Sequence, residues 1–201
     1  MMRQLLLHNA LVISARRCLA HWRSRLLFRW STSQKGHFGY LALVAVPVLV
    51  MGAMFRFAYV DQMRIQAAQQ RRADLSCLAE NIYHEARGEP LAGQYAVAEV
   101  TLNRVTSPLF PATVCAVVHE ARWDPGRQRY VGAFSWTELE PMPAPTGLAW
   151  ERAVSVAATV YDNREAPLVE GALFYHATYI VPNWARTKTR VARIGRHLFY
   201  L

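Results

Sequence analysis

The first 60 residues contain no Asp or Glu, although they carry eight basic residues (Arg3, Arg16, Arg17, Arg23, Arg25, Arg29, Lys35 and Arg56). That absence relocates the charge of the whole protein. A net charge of +9 over 201 residues ordinarily points to nucleic acid or an anionic membrane. The rest of the chain, however, holds 15 basic and 14 acidic residues and is nearly neutral. The basic excess belongs to an N-terminal arm, and no nucleic-acid partner is expected. Cysteine is scarce. Cys18, Cys77 and Cys115 form no C-x-x-C pair, which removes the usual zinc-ribbon and dithiol signatures. Cys18 precedes an apolar segment that Cys77 and Cys115 follow, so if that segment spans a membrane only the latter two can meet an oxidising compartment. Whether they pair is left open, because pairing depends on geometry. There is no internal repeat, no G-x-S-x-G and no Gly-rich phosphate loop, so those nucleophile and nucleotide chemistries have no carrier here.

What is present begins with Tyr40–Val60, YLALVAVPVLVMGAMFRFAYV. A run of about 20 apolar residues is long enough to cross about 30 Å of hydrocarbon as a helix. Pro47 is tolerable in such a helix, and Arg56 can snorkel from its far end. Seven basic residues precede the run and acids start at Asp61, so the positive-inside rule keeps the N-terminus cytoplasmic and exports the remainder. No small-x-small cleavage site follows, which disfavours a removed signal peptide. The expected organisation is a basic cytoplasmic arm (1–39), a transmembrane helix (40–60), a Gln-rich stalk (61–73) and one exported domain (74–201). The arm fits a basic amphipathic surface helix, a disordered segment or an upstream extension of a gene starting at Met51 or Met54; the sequence does not separate these. Helices are expected at 72–87, 91–105 and 150–163, with a loop at Pro141–Pro145. Strands are expected at Ala172–Ala177 and Arg190–Tyr200, with Gly195 as the turn. The fold class is α+β.

Within the first helix of that domain, Leu75, Leu78 and Ile82 form an apolar stripe that continues onto Glu85 and then Glu89. A carboxylate on a buried line is costly when ionised. Gly88 and Pro90 end the helix, so Glu85 also sits near carbonyls with partial negative charge. Both effects favour the protonated form, as a general acid for glycosidic cleavage requires. The alternative is a boundary residue paired with Arg87 or another arginine. Glu89, past the break, reads as a cap for the next helix. His84-Glu85 is not a zinc protease motif, since Gly88 stands where the second His belongs. His119, His176 and His197 show no short metal spacing. Neither metal nor cofactor is expected.

At IYHEARGEP-x-x-GQ-x-AVA-x-V-x-x-NRV, Ile82 to Val105, the chain resembles the SleB/CwlJ-type cell wall hydrolases, first known as spore cortex-lytic enzymes. The likeness continues in order through Pro111-x-Thr-Val-Cys115, Phe134-Ser135-Trp136, Tyr175-His176-Ala177, Pro182-x-Trp184 and Ile194-Gly-x-His197-x-Phe-Tyr200. It implies a lysozyme-like fold acting on peptidoglycan, with Glu85 as the key acid. Better-characterised members resemble lytic transglycosylases, which cleave between N-acetylmuramic acid and N-acetylglucosamine with one carboxyl and no second catalytic carboxylate. The family commonly has Gln, often preceded by Cys, before the Phe-Ser pair; Gly132 and Ala133 stand there instead. With the anchor, the resemblance implies an inner-membrane protein whose domain faces the periplasm.

Substrate-binding candidates are Gln94, Phe134, Ser135, Tyr175, His176 and His197. Each has a structural alternative: a cap for Gln94, a core strand for Phe134 and Ser135, and hydrogen-bonded core histidines for His176 and His197. Alternation puts Tyr175 and His176 on opposite faces of their strand. Asn103-Arg104 reads as a tie between the second helix and the catalytic one. Competing functions are an N-acetylmuramoyl-L-alanine amidase and an inactive wall-binding scaffold. No protein activator is legible.

Overall fold

The computed structural model describes residues 34–139, 142–163 and 166–201. The expectations for residues 1–33, including Cys18, lie outside them. Chain packing divides the protein into two units, one ending at Arg64 and the other running from Ile65 to Leu201. Helix α1, Gln34–Ala86, begins in the first unit and runs through Pro47. Every residue from Tyr40 to Val60 on it is exposed, and the helix is long and apolar enough to cross a membrane.

The second unit is a mixed α+β domain. It contains the end of α1, then α2 (Leu91–Thr106), α3 (Val114–Val118), a β1–β2 hairpin (Ala121–Asp124 and Arg129–Gly132) and α4 (Gly147–Asp162). A three-stranded antiparallel sheet of order β3-β5-β4 closes the chain, from Phe174–Ala177, His197–Tyr200 and Arg190–Ile194. The three expected helices and the C-terminal strands are all found. The short helix α3 and the β1–β2 hairpin go beyond the expectation. Phe134 to Trp136 is not a strand: Ser135–Glu138 is a 3-10 turn.

Helical phase explains the core. Leu78 and Ile82 are fully buried and pack with Leu102 of α2, the valines of α3, Phe134, Trp136 and Val156 of α4. Removing such side chains from water is worth roughly 1.5–3 kcal/mol each. A second cluster joins Ala96 and Val100 of α2 to Val169, Ala172 and Phe199 of β5. Between α1 and α2 lies a satisfied polar contact: Asn81 Nδ2 donates to Thr101 Oγ1 at 3.1 Å, and Trp136 Nε1 donates to Asn81 Oδ1 at 3.0 Å. Pairing both ends of a buried amide avoids the cost of stranding it. Cys77 of α1 and Cys115 of α3 are disulfide-bonded with Cα atoms 5.2 Å apart.

The break after α1 is held from the far end of the chain. Glu89 does not cap α2; Pro90 occupies the N-cap without a side-chain bond. Instead the Glu89 carboxylate accepts the Arg196 backbone N–H at 2.8 Å and Arg196 Nε at 2.7 Å. Gly195, at φ +57°, makes the β4–β5 turn, and a Cβ there would collide with Glu89 Oε2. Glycine is thus required twice over, by conformation and by close approach. Burial pushes the Glu89 carboxyl up, but the two Arg196 bonds and the nearby His197 outweigh it and hold it below the usual carboxylate value.

Candidate active site

Glu85 lies one turn beyond Ile82 on α1, where the apolar stripe meets a cavity of about 110 Å³. Glu85, Arg104, Ala133, Phe134, Ser135 and Tyr175 line it. Four separate parts of the chain therefore converge. α1 brings Glu85, α2 brings Arg104, the segment after β2 brings Ala133 to Ser135, and β3 brings Tyr175. Tyr175 Oη donates to Glu85 Oε2 at 3.1 Å. Among the described residues, Glu85 Oε1 accepts no side-chain hydrogen bond and no arginine forms an ion pair with Glu85. Arg87 lies instead over the Tyr83 ring, 4.9 Å from its centroid.

The electrostatics follow from that burial. Desolvation raises the Glu85 pKa above its ordinary value, while the Tyr175 hydrogen bond and the charge of Arg104 pull it partly back. Burial raises the Tyr175 phenol well above 10, reinforced by the Glu85 charge, so it stays a donor. Arg104 is buried; its Nε donates to the Leu173 carbonyl at 2.8 Å. Its neighbour Asn103 donates to the carbonyls of Val169 and Ala172. The pair therefore ties α2 to the chain entering β3, and Arg104 also borders the cavity beside Glu85 of α1.

The other candidates separate by burial. Ser135 is exposed beside the cavity, and Phe134 lines it while packing in the core. Three candidates, Gln94, His176 and His197, are not among the residues lining this cavity. Gln94 is 1% exposed and its amide donates to the Glu89 carbonyl, so it braces the helix break. His176 is buried on the opposite sheet face from Tyr175, stacked on Tyr200 with Nε2 3.0 Å from the Tyr200 hydroxyl. The expected alternation holds, and it points His176 away from Glu85. His197 is buried with Nδ1 3.9 Å from Glu89 Oε2 and its ring edge-on to Tyr175, so it backs the site without lining it. Asn81 is a residue that sequence reasoning missed: it accepts the Trp136 indole N–H, and His84 stacks on Trp136 at 4.5 Å.

A larger cavity of about 520 Å³ lies between α2 and α4, walled by Leu91, Tyr95 and Leu168 among others. Its carboxylate, Glu99, is committed to the Val169 backbone N–H at 2.9 Å. The smaller cavity is where an acid of raised pKa meets a phenol donor. Among the described residues, no three His, Cys, Asp or Glu side chains converge on a metal-sized site.

The cell wall hydrolase family model matches residues 88–200. The chain belongs to the cell wall hydrolase family. The matched region starts just past Glu85. The spore cortex-lytic enzyme of Bacillus cereus is 32% identical over 126 residues, covering 63% of this chain and 43% of that protein. The Bacillus subtilis enzyme is 32% identical over the same length, with 37% of it covered. The chain thus spans less than half of these curated relatives. Among solved structures, the catalytic domain of the germination-specific lytic transglycosylase SleB from Bacillus anthracis superposes with a TM-score of 0.50 at 32% identity. That match covers 64% of this chain and 93% of that one.

Replacing Tyr175 with Phe tests how the site is tuned. Losing the phenol donor removes a bond that favours ionised Glu85, so the carboxyl pKa rises further. The alkaline limb of the pH–rate profile is expected to move up, with turnover falling about tenfold from the lost charged hydrogen bond. Rates on purified sacculi across pH check both effects; an unmoved limb would mean Tyr175 does not tune Glu85.

Proposed function

We propose that this protein cleaves the glycan strands of peptidoglycan between N-acetylmuramic acid and N-acetylglucosamine, with Glu85 as sole acid and base on a lysozyme-like domain. The observation that carries the reading is the state of Glu85: a half-buried carboxyl of raised pKa, hydrogen-bonded on one oxygen by Tyr175, beside a cavity. With Tyr175 donating into Oε2, Oε1 is left to hold the acid proton. Glu85 gives that proton to the glycosidic oxygen as the bond to the muramic C1 breaks. The departing N-acetylglucosamine takes the proton, and an oxocarbenium-like muramic residue remains. The carboxylate then accepts the proton of the muramic C6 hydroxyl as that oxygen bonds C1, giving a 1,6-anhydro end and returning Glu85 to the acid form. Burial favours the first half of this cycle; the Tyr175 bond and the Arg104 charge favour the second. Single-carboxyl chemistry dispenses with the paired carboxylates most glycosidases use.

The setting of the reaction is proposed on separate grounds. A Cys77–Cys115 disulfide suits an oxidising compartment, and the exposed apolar stretch Tyr40–Val60 with basic residues before it suits a single-pass anchor. The domain from residue 74 onward then faces the periplasm from the inner membrane, following a stalk at 61–73. An alkaline phosphatase fused to the C-terminus should be active, and a stable but inactive fusion would reverse the orientation.

Mass spectrometry of products released from sacculi tests the reaction. Muropeptides ending in 1,6-anhydromuramic acid are expected. Reducing muramic ends would replace the C6 hydroxyl by water, and free stem peptides without glycan cleavage would overturn the assignment in favour of an amidase.

A further inference from the structure

Arg104 has more donors than its structural role uses. The residue is 8% exposed, and its guanidinium lies between the rings of Phe110 and Phe134, with Cζ 5.1 and 5.0 Å from their centroids. Nε is bonded to Leu173. Among the described residues, no carboxylate forms a salt bridge with Arg104 and no acceptor takes a hydrogen bond from its Nη groups. A guanidinium carries five N–H donors, and burying it without a paired anion is costly. A tie to one carbonyl does not require that charge, since a neutral amide such as the adjacent Asn103 already bonds two carbonyls of the same segment. The small part of Arg104 that is not covered by protein borders the Glu85 cavity.

The size and lining of that cavity say what it can admit. At about 110 Å³ it is well below the ~300–1,000 Å³ of a pocket enclosing a whole small ligand. It takes a substituent of a sugar, with the sugar itself outside. Hydroxyl and ring oxygens of a glycan are weak acceptors for a desolvated cation; acyl carbonyl and carboxylate oxygens are strong ones. The two aromatic rings and the Leu173 bond fix the plane of the fork, so little side-chain freedom is lost when it engages.

We propose that Arg104 is a substrate-binding residue whose Nη groups bond the carbonyl or carboxylate oxygen of an acyl substituent on the muramic residue beside Glu85. This rests on the reading of Glu85 as the acid. It adds a basis for selecting acylated muramic acid over an unsubstituted sugar, because a glycan lacking the acyl oxygen leaves a buried cation unpaired. Muramic acid carries two such groups, the N-acetyl and the lactyl, and one oxygen chemistry serves both.

The test measures binding without turnover, using the full chain carrying Glu85→Gln and titrated with soluble glycan strands. Three preparations serve as probes: intact strands, strands stripped of stem peptides to leave free lactyl carboxylates, and chemically de-N-acetylated strands. Adding Arg104→Lys should weaken binding to intact strands by about 10- to 100-fold, the worth of a charged hydrogen bond. If the N-acetyl oxygen is the partner, that penalty vanishes on de-N-acetylated strands. If the lactyl oxygen is the partner, the penalty persists there and grows on stripped strands. An equal penalty on all three, or one under about threefold on intact strands, overturns the proposal. Should Arg104→Lys unfold, the Arg104-bearing protein decides alone: equal affinity for the three preparations overturns it as well. Retained turnover by Glu85→Gln would remove the acid from Glu85, while these affinities would still report on Arg104.

Discussion

Glu85→Gln is expected to lower glycan release from sacculi by at least about 1,000-fold while leaving the domain folded, because it removes the group asked to donate and then accept a proton. The same substitution is expected to stabilise the protein at alkaline pH. Burial raises the Glu85 pKa in the folded state above its ordinary 4.5. Between the unfolded and folded values the native state binds the proton more tightly, so stability falls as pH rises through that window. The favourable contribution is complete below the unfolded value and gone above the folded one. Glutamine stays neutral throughout. Melting temperatures of the two proteins should therefore converge near pH 4 and separate above neutrality, with the variant higher, the pattern expected where a site trades stability for chemistry. A variant less stable than the parent at every pH would mean that Glu85 is a structural ion-pair partner. Undiminished release would take it out of the reaction altogether.

The part of this site that could be read from sequence is the part set by helical phase. Leu75, Leu78, Ile82 and Glu85 share a line because α1 is regular there, and the residues from Arg87 to Pro90 end it before Leu91 opens α2. Local periodicity decides such features, and it decided α2, α4 and the Gly195 turn equally well. Strand alternation also put Tyr175 and His176 on opposite faces. Which face meets Glu85 depends on the sheet packing against α2 through Phe199 and Ala96, and no local pattern carries that information. His176 and Tyr175 are therefore equivalent by local pattern, and the packing of the sheet turns only Tyr175 to Glu85. Glu89 illustrates the same limit from another side. Its partner Arg196 is 107 residues away, so a helix-capping role, the best local explanation, gave way to a distant one. The β1–β2 hairpin escaped because its strands are four residues each and mostly exposed, leaving no buried–exposed alternation to detect. Arg104 was legible as a support for the fold but not as a cavity wall, since the aromatic rings around it come from outside its own helix.

Reduction of the Cys77–Cys115 disulfide is expected to destabilise the domain by about 4 kcal/mol, the chain-entropy value for a loop of this size. The bond closes 38 residues and joins α1 to a helix of only five residues, α3. So short a helix has little stability of its own. Its other fastenings are the Thr113 cap, the Asp74 carboxylate accepting the Val114 N–H at 3.3 Å, and its buried valines. Against a total stability of roughly 5–15 kcal/mol, losing the cross-link lowers the melting temperature by about 10–15 °C. The chain leaves α3 for the β1–β2 hairpin and then supplies Ala133, Phe134 and Ser135 to the cavity. Loosening α3 therefore reaches the site, and glycan release should fall as the bond is reduced. Thermal melts of the full chain with and without reductant, beside Cys77→Ser, measure the stability term. Equal melting temperatures would show that packing alone holds α3. A drop shared by reductant and by Cys77→Ser would make export to an oxidising compartment a condition for a folded site, and would tie the proposed anchoring by Tyr40–Val60 to the proposed acid, Glu85.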